Sequence, residues 1–409
     1  MKRAAPALEA ALSRLDAAQL RRERRTVASY PTDGRALTLR SGRALVDFSS
    51  NDYLGLARHP KLAEAMSACA ARSGAGSGAS HLITGHGAEH ARLEEELAAF
   101  TARERALLFS TGYMANLAVM ATLSGRGERV LLDRLSHASL IDGARLSGAE
   151  LHRYGHADAE AAARLLSADP ARTALLATDG VFSMDGDLAP LPALARAARA
   201  HAAWLVVDDA HGLGVVGRSG RGVCEHFALG SDAVPVLIGT LGKAFGSFGA
   251  FVAGAADLIE LLVQKARTYI YTTALPQPVA AATRAALALA EEESWRRERL
   301  STLTARFRAA AQALGVPLAD SATPIQPVHL GSAAAALAAQ RALEQAGFWV
   351  AAIRPPSVPA GSARLRVTLS AAHTEEEVDA LAGHLARACR DASALAGEPA
   401  AAQRGAAEV

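Results

Sequence analysis

Short, mostly apolar runs recur through the middle of the chain, at 106–109, 129–132, 150–154, 174–178, 204–207, 236–238 and 250–252. Stretches of helical spacing, such as 114–123 and 191–202, separate most of them. A run that is apolar throughout, rather than at every second position, suits a strand buried on both faces. The alternation therefore predicts one wide, mostly parallel sheet of seven strands covered by helices.

The pattern changes toward both ends. Leu8, Leu12, Leu15 and Leu20 recur at helical spacing, predicting an amphipathic helix that ends in the basic cluster near Arg25. A short strand at 45–48 leads to SSNDYLGL, a helix over 60–72, the glycine-rich loop 73–87 (SGAGSGASHLITGHG) and a helix over 89–101. Beyond Pro276 a long helical tract covers 278–314. Shorter strands at 325–330, 348–353 and 365–369 follow, and a helix over 375–390 comes last. The expected organisation is an N-terminal helix and strand (1–50), a large domain (51–285), a smaller α/β domain (286–390) and a frayed tail (391–409).

Composition narrows the function classes. Half of the 409 residues are hydrophobic, ample for a large core, and 43 basic against 41 acidic residues leave a net charge of +2. That balance points to neither nucleic acid nor a membrane surface, and no run approaches the roughly 18 apolar residues of a membrane span. Cys69, Cys224 and Cys389 share no ligand spacing and fit a reducing compartment. Residues 1–25 carry Glu9, Asp16 and Glu23 among their arginines and lack the apolar centre of a signal peptide, so a cytoplasmic enzyme is expected.

The chemistry concentrates at the ends of two strands. The stretch 236–250, VLIGTLGKAFGSFGA, is an apolar run followed by Lys243 among Gly239, Gly242, Gly246 and Gly249. Glycines let the backbone approach a ligand that a Cβ would exclude. Upstream, 203–211 (AWLVVDDAH) is another apolar run that ends in Asp208 and His211. Open α/β sheets bind ligands at the carboxyl ends of their strands, so these three side chains can converge on one crevice. A lysine, a carboxylate and an imidazole are the set that pyridoxal phosphate chemistry uses, with the lysine as Schiff-base amine and the acid beside the ring nitrogen.

Two other motifs are set aside. Gly212, Gly214 and Gly217 spell GLGVVG, but GRSGRG follows where a dinucleotide fingerprint needs a helix. His86 to His90, HGAEH, matches a zinc pattern in letters, yet the helix that should carry both histidines is only beginning there and no third ligand is evident, so no metal is expected.

Seven stretches together carry a resemblance: NDYLGL, GSGAS, DRLSHASLIDGARLSGA from Asp133, DGVFSMDGD from Asp179, VVDDAHGLGVVG from Val206, GTLGKAFG from Gly239 and IRPPSVPAGSARLRVTLSAAHT from Ile353. From about Leu20 to the last helix the chain resembles the α-oxoamine synthases, pyridoxal 5'-phosphate enzymes of the aspartate aminotransferase fold (fold type I). The resemblance implies a homodimeric acyltransferase with active sites at the subunit interface. Its wording is nearest the members of biotin synthesis, which join L-alanine to a pimeloyl thioester through a lysine aldimine and a quinonoid. The acyl carrier is coenzyme A or acyl carrier protein, and sister enzymes use glycine with another acyl-CoA.

Residue by residue, the resemblance makes Lys243 the Schiff-base lysine, Asp208 the partner of the pyridinium nitrogen and His137 the imidazole stacked on the ring. Ser183 and His211 fall on the side of the ring's phenolic oxygen. Gly112, Tyr113 and Thr240 match the phosphate site, and Thr272 and Thr273 fall where a second subunit reaches in. Arg354 matches the arginine that pairs with the amino acid's carboxylate, while Arg21, Asn51, His137 and Ser357 match substrate positions. Asp179, Tyr113 and Ser357 stand where glutamate, phenylalanine and threonine are usual, which bears on substrate detail more than on reaction type.

Overall fold

The protein is described here by a computed structural model covering residues 5–18, 20–31 and 34–397. It divides into two compact units, Asn51–Ser183 with Asp187–Arg299, and Met1–Ser50 with Met184–Gly186 and Leu300–Val409. Residues 1–50 thus group with the C-terminal part.

The first unit holds the seven-stranded sheet. Its strands are β1 (Arg105–Phe109), β2 (Arg129–Asp133), β3 (Glu150–Tyr154), β4 (Thr173–Asp179), β5 (Trp204–Asp208), β6 (Val236–Thr240) and β7 (Ala250–Gly254). They lie in the order β1-β7-β6-β5-β4-β2-β3. Only β7 runs antiparallel to its neighbours, β1 and β6, while the remaining pairs are parallel. Leu107, Val130, Leu132, Ala177, Val206, Ile238 and Val252 are all buried in one cluster with Ala115, Val119 and Met120 of the helix Gly112–Leu123. Each large aliphatic side chain buried this way contributes about 1.5–3 kcal/mol, and burial on both faces is why the runs read as continuous. Register then sets the chemistry: Asp179 pairs with Asp208, and Asp208 with Ile238, so both acids arrive together at the carboxyl edge.

The second unit contains two smaller sheets. Val27–Ser29, Ala36–Leu39 and Ala44–Asp47 form antiparallel neighbours, and Phe348–Trp349 joins in parallel, with Phe348 opposite Val46. Ile325–Gly331, Ala363–Thr368 and Ala351–Ile353 make the other sheet. The strand expected at 348–353 is therefore two strands, parted at Val350 and sent to different sheets.

Three further boundaries differ from expectation. The first helix spans Ala5–Ala17 and does not reach Arg25. Arg21 pairs with Asp16, Arg22 donates to Ser357, and Arg25 pairs with Glu344 and lies over the Trp349 ring; these contacts hold the basic segment extended. The tract 278–314 is two helices, Gln277–Glu292 and Trp295–Ala313, because Ser294 bonds Glu298 and restarts the chain. The last helix runs through Gly397, past the expected end at Arg390, and its own Ala392 is buried; residues 398–409 lie outside the described residues. No helix among the described residues is long and apolar enough to cross a membrane.

His373 couples this second unit to pH. Its ring stacks on Phe48 at 3.9 Å, Nδ1 accepts from the Ser370 N–H at 3.0 Å, and Nε2 donates to the Asp47 carbonyl at 3.0 Å. Burial pushes its pKa from 6.5 down to about 4, with the nearby Arg35 charge acting in the same direction and the Asp47 bond against it. The unfolded chain takes up a proton that the folded chain refuses, so stability is present above pH 6.5 and is lost as pH falls toward 4. The loss reaches about 3 kcal/mol at ~1.4 kcal/mol per unit. Urea midpoints measured across that window should fall in the wild type and fall less in His373→Gln; equal slopes in both proteins would refute the assignment.

Candidate active site

Asp208 ends β5 and is 7% exposed. Its carboxylate accepts from Asn116 Nδ2 at 2.7 Å and from the Ala210 N–H at 3.0 Å. The other Asn116 Nδ2 proton goes to Ser139 Oγ at 2.7 Å, and that hydroxyl lies 2.6 Å from His137 Nδ1. The Ser139 N–H also donates to His137 Nδ1 at 3.3 Å, so Nδ1 is the accepting nitrogen, the Ser139 hydroxyl donates to it, and the imidazole proton is left on Nε2. Four side chains from two helix starts and one strand end are thus locked in a row. His137 caps the helix Ala138–Ser147, and its own N–H donates to Asp179 Oδ2 at 2.9 Å. Burial lowers the His137 pKa, opposed by the charge of Asp208 and reinforced by Lys243. Burial raises that of Asp179, and the charge of Asp208 adds to it. Asn116 escaped the sequence reading; its signal was a polar residue one helical turn after Gly112 in an otherwise apolar helix.

Lys243 lies in the turn after β6. Its Nζ is 2.8 Å from His211 Nε2, and His211 Nδ1 is 2.7 Å from Tyr53 Oη. Thr240 Oγ1 donates to the Gly249 carbonyl at 3.2 Å and accepts from Gly242 N at 3.4 Å, closing the same turn.

The loop bearing His211 hangs on Asp209, whose carboxylate is fully buried and accepts from the Val223 N–H at 2.8 Å. A Cβ at Gly212 would come within 2.0 Å of that carboxylate, and one at Gly222 within 1.8 Å, so the chain can wrap it only with glycine there. GLGVVG is part of this wrap: the helix that follows, Val223–His226, is a single turn.

Thr111 caps the helix Gly112–Leu123 by accepting from Met114 N at 3.2 Å. A Cβ at Gly112 would meet nothing within 4 Å, so the helix N-terminus opens onto space where an anion can sit. Tyr113 is exposed, and its hydroxyl donates to Asp142. Ser183 lies on the turn after β4, and Asn51 accepts from Tyr53 at 3.2 Å. Thr272 and Thr273 follow the helix Arg267–Ile270, where Ala274 N donates to Ala79 O at 3.0 Å and Ser77 Oγ to Leu275 O at 2.9 Å. The residues just after them, Ala274 and Leu275, are tied to the glycine-rich loop.

That loop supplies the third imidazole that the zinc pattern lacked. His81, His86 and His90 have nitrogen atoms within 4.8 Å of one another. The helix starts at Ala88, so His86 lies outside it. His90 has no lone pair to offer, because Nδ1 accepts from Gly87 N at 2.9 Å and Nε2 donates to Leu275 O at 2.6 Å. These bonds make the cluster a brace for the loop.

Arg21, Arg354 and Ser357 belong to the second unit. Ser357 N donates to the Arg354 carbonyl at 3.1 Å, and Arg22 Nη2 donates to Ser357 Oγ at 3.2 Å. Arg21 and Arg354 line a cleft of about 820 Å³ together with Arg22, Arg25, Trp349 and the apolar Leu37 and Leu39.

In the first unit a buried carboxylate, an imidazole, a lysine amine, a hydroxyl and a free helix N-terminus fit the ring nitrogen, ring face, aldehyde and phosphate of pyridoxal 5'-phosphate. The aminotransferase class I and II family matches residues 43–385. The chain is 60% identical over 378 residues to the 8-amino-7-oxononanoate synthase of Methylococcus capsulatus, covering 92% of this chain and 97% of that protein. It is 58% identical over 372 residues to that of Cellvibrio japonicus, covering 91% and 92%. Among solved structures it is similar to serine palmitoyltransferase from S. paucimobilis with bound PLP–myriocin aldimine, at a TM-score of 0.89, 30% identity and coverage of 95% and 98%. It is also similar to 8-amino-7-oxononanoate synthase from Francisella tularensis, at a TM-score of 0.73, 31% identity and coverage of 85% and 98%.

Proposed function

The chain belongs to the aminotransferase class I and II family, and from that membership we propose that it catalyses the reaction of the 8-amino-7-oxononanoate synthases. It is a pyridoxal-phosphate-dependent acyltransferase that joins L-alanine to a pimeloyl thioester in biotin synthesis. One carbon–carbon bond forms, between the alanine Cα and the thioester carbonyl carbon. The thiol leaves, and the alanine carboxylate departs as carbon dioxide. The observation that carries the reading is the convergence, at neighbouring strand ends, of the Asn116-held Asp208 carboxylate and the Lys243 amine paired with His211.

Lys243 would hold the cofactor's aldehyde carbon, Asp208 its ring nitrogen and His137 its ring face. Ser183 and His211 would lie toward its phenolic oxygen, and Gly112, Tyr113 and Thr240 would take its phosphate. When bound, the cofactor supplies an electron sink for the bonds broken at the amino acid's Cα. Arg354, by its match to the carboxylate-binding arginine of the α-oxoamine synthases, would pair with the alanine carboxylate, since a guanidinium can form two parallel hydrogen bonds that lysine cannot copy. Lys243 Nζ would be the group that takes the Cα proton, and positioning would contribute much of the acceleration. Thr272 and Thr273 would complete the site of a second copy, which makes the working form a homodimer. The setting is cytoplasmic, and the acyl carrier is coenzyme A or acyl carrier protein.

Purified protein given pyridoxal phosphate, L-alanine and pimeloyl-CoA should release thiol and carbon dioxide in equal amounts. Pimeloyl-loaded carrier protein run in parallel decides the carrier. Faster turnover with glycine and a short acyl-CoA would move the chain to a sister activity.

A further inference from the structure

The NDYLGL motif is built more tightly than an approach to the site requires. Asp52 accepts from Leu56 N at 2.8 Å and from Ala57 N at 3.0 Å, which closes a turn around Tyr53. Arg296 Nη1 donates to the Leu54 carbonyl at 3.0 Å and fixes the turn from outside. The Lys243 turn seats directly on this backbone. Gly246, at φ +61°, has no room for a side chain, since a Cβ would lie 2.2 Å from Ala57 N and 2.6 Å from Leu56 C. Gly246 N in turn donates to the Lys243 carbonyl at 2.8 Å.

Within the motif Tyr53 is 0% exposed, so its hydroxyl partners are protein groups. Its oxygen donates to Asn51 Oδ1 at 3.2 Å and lies 2.7 Å from His211 Nδ1. A phenol has one proton to give. With that proton on Asn51, the oxygen accepts from His211 Nδ1–H, and the Nε2 lone pair faces Lys243 Nζ at 2.8 Å.

We propose that Tyr53 is a positioning residue that, through His211, sets the protonation of the Lys243 nitrogen. The proposal deepens the functional reading above and rests on it, because Lys243 is taken there as the amine that binds cofactor and moves the proton. The other ionisable groups around Lys243 include His137, Asp179, Asp208 and Asp209. They are shared by every variant below, so a difference among the variants reports on the Asn51–Tyr53–His211 chain.

The test is a pH titration of the visible absorption of the cofactor-loaded enzyme in wild type, Tyr53→Phe, His211→Gln and the double variant, with melting temperatures as a folding control. Phenylalanine fills the same volume, so Tyr53→Phe should melt close to wild type. It should move the titration midpoint by about half a unit or more, and lower kcat about tenfold with KM for L-alanine within about twofold. In the His211→Gln background the same substitution should add nothing further. Asn51→Ala, which frees the phenol proton to turn toward His211, should also move the midpoint. An unmoved midpoint in Tyr53→Phe or in Asn51→Ala, or an equal shift with and without His211, overturns the proposal while leaving the functional reading intact. A wild type that takes up no coloured cofactor overturns both.

Discussion

Lys243→Ala lowers turnover by at least about 10⁴-fold, because one substitution removes both a covalent partner and a base. The remaining parts of the site do not depend on the amine for their places. Asp208 is held by Asn116 and the Ala210 N–H, His137 by Ser139 and Asp179, and the Lys243 turn by its own backbone bonds. The variant should therefore fold, melt near the wild type and still bind cofactor weakly. Initial rates of thiol release from pimeloyl-CoA, read beside a melting curve, check this. A variant that keeps a tenth or more of the wild-type rate would refute the role of Lys243.

Asp208→Asn follows, with a drop in kcat of about 10³-fold. The substitution keeps the shape of a nearly buried side chain and removes its charge. An amide can still face Asn116, so folding stability should change by no more than about 1–2 kcal/mol. What is lost is the negative charge that would keep a ring nitrogen protonated. Rate and stability should therefore part company, and unfolding midpoints with steady-state rates separate the two. A carboxamide that retains more than a tenth of kcat would mean that Asp208 serves the fold alone.

The large sheet was legible in the sequence because its strands, apart from the partly exposed edge strand Glu150–Tyr154, are buried on both faces, and such runs leave no alternation to misread. Lys243, Asp208 and His211 were legible for the same reason, since they stand where apolar runs stop. Other features depend on contacts between residues far apart in sequence. A polar residue in a largely apolar helix singles out Asn116, but its partner is not legible until β5 places Asp208 beside it. Tyr53 reads as a core aromatic until His211, 158 positions later, meets its hydroxyl. The early end of the first helix follows from arginines whose partners include Ser357 and Glu344. The split at Val350 is set by which sheet has an edge to offer on each side.

The parallel pairing of Phe348–Trp349 with Ala44–Asp47 bears on how the chain is made. A ribosome emits the three early strands long before their fourth partner exists, and at roughly 5–20 residues per second the wait for 300 more residues lasts on the order of 15–60 s. The intervening large unit can close on itself in that interval. The edge of Ala44–Asp47 meanwhile presents unpaired amides and carbonyls, with Leu45 and Val46 beside them, to whatever strand is nearest. Slow translation or crowded expression would expose that edge longest, and would set the yield of soluble protein without touching the native state.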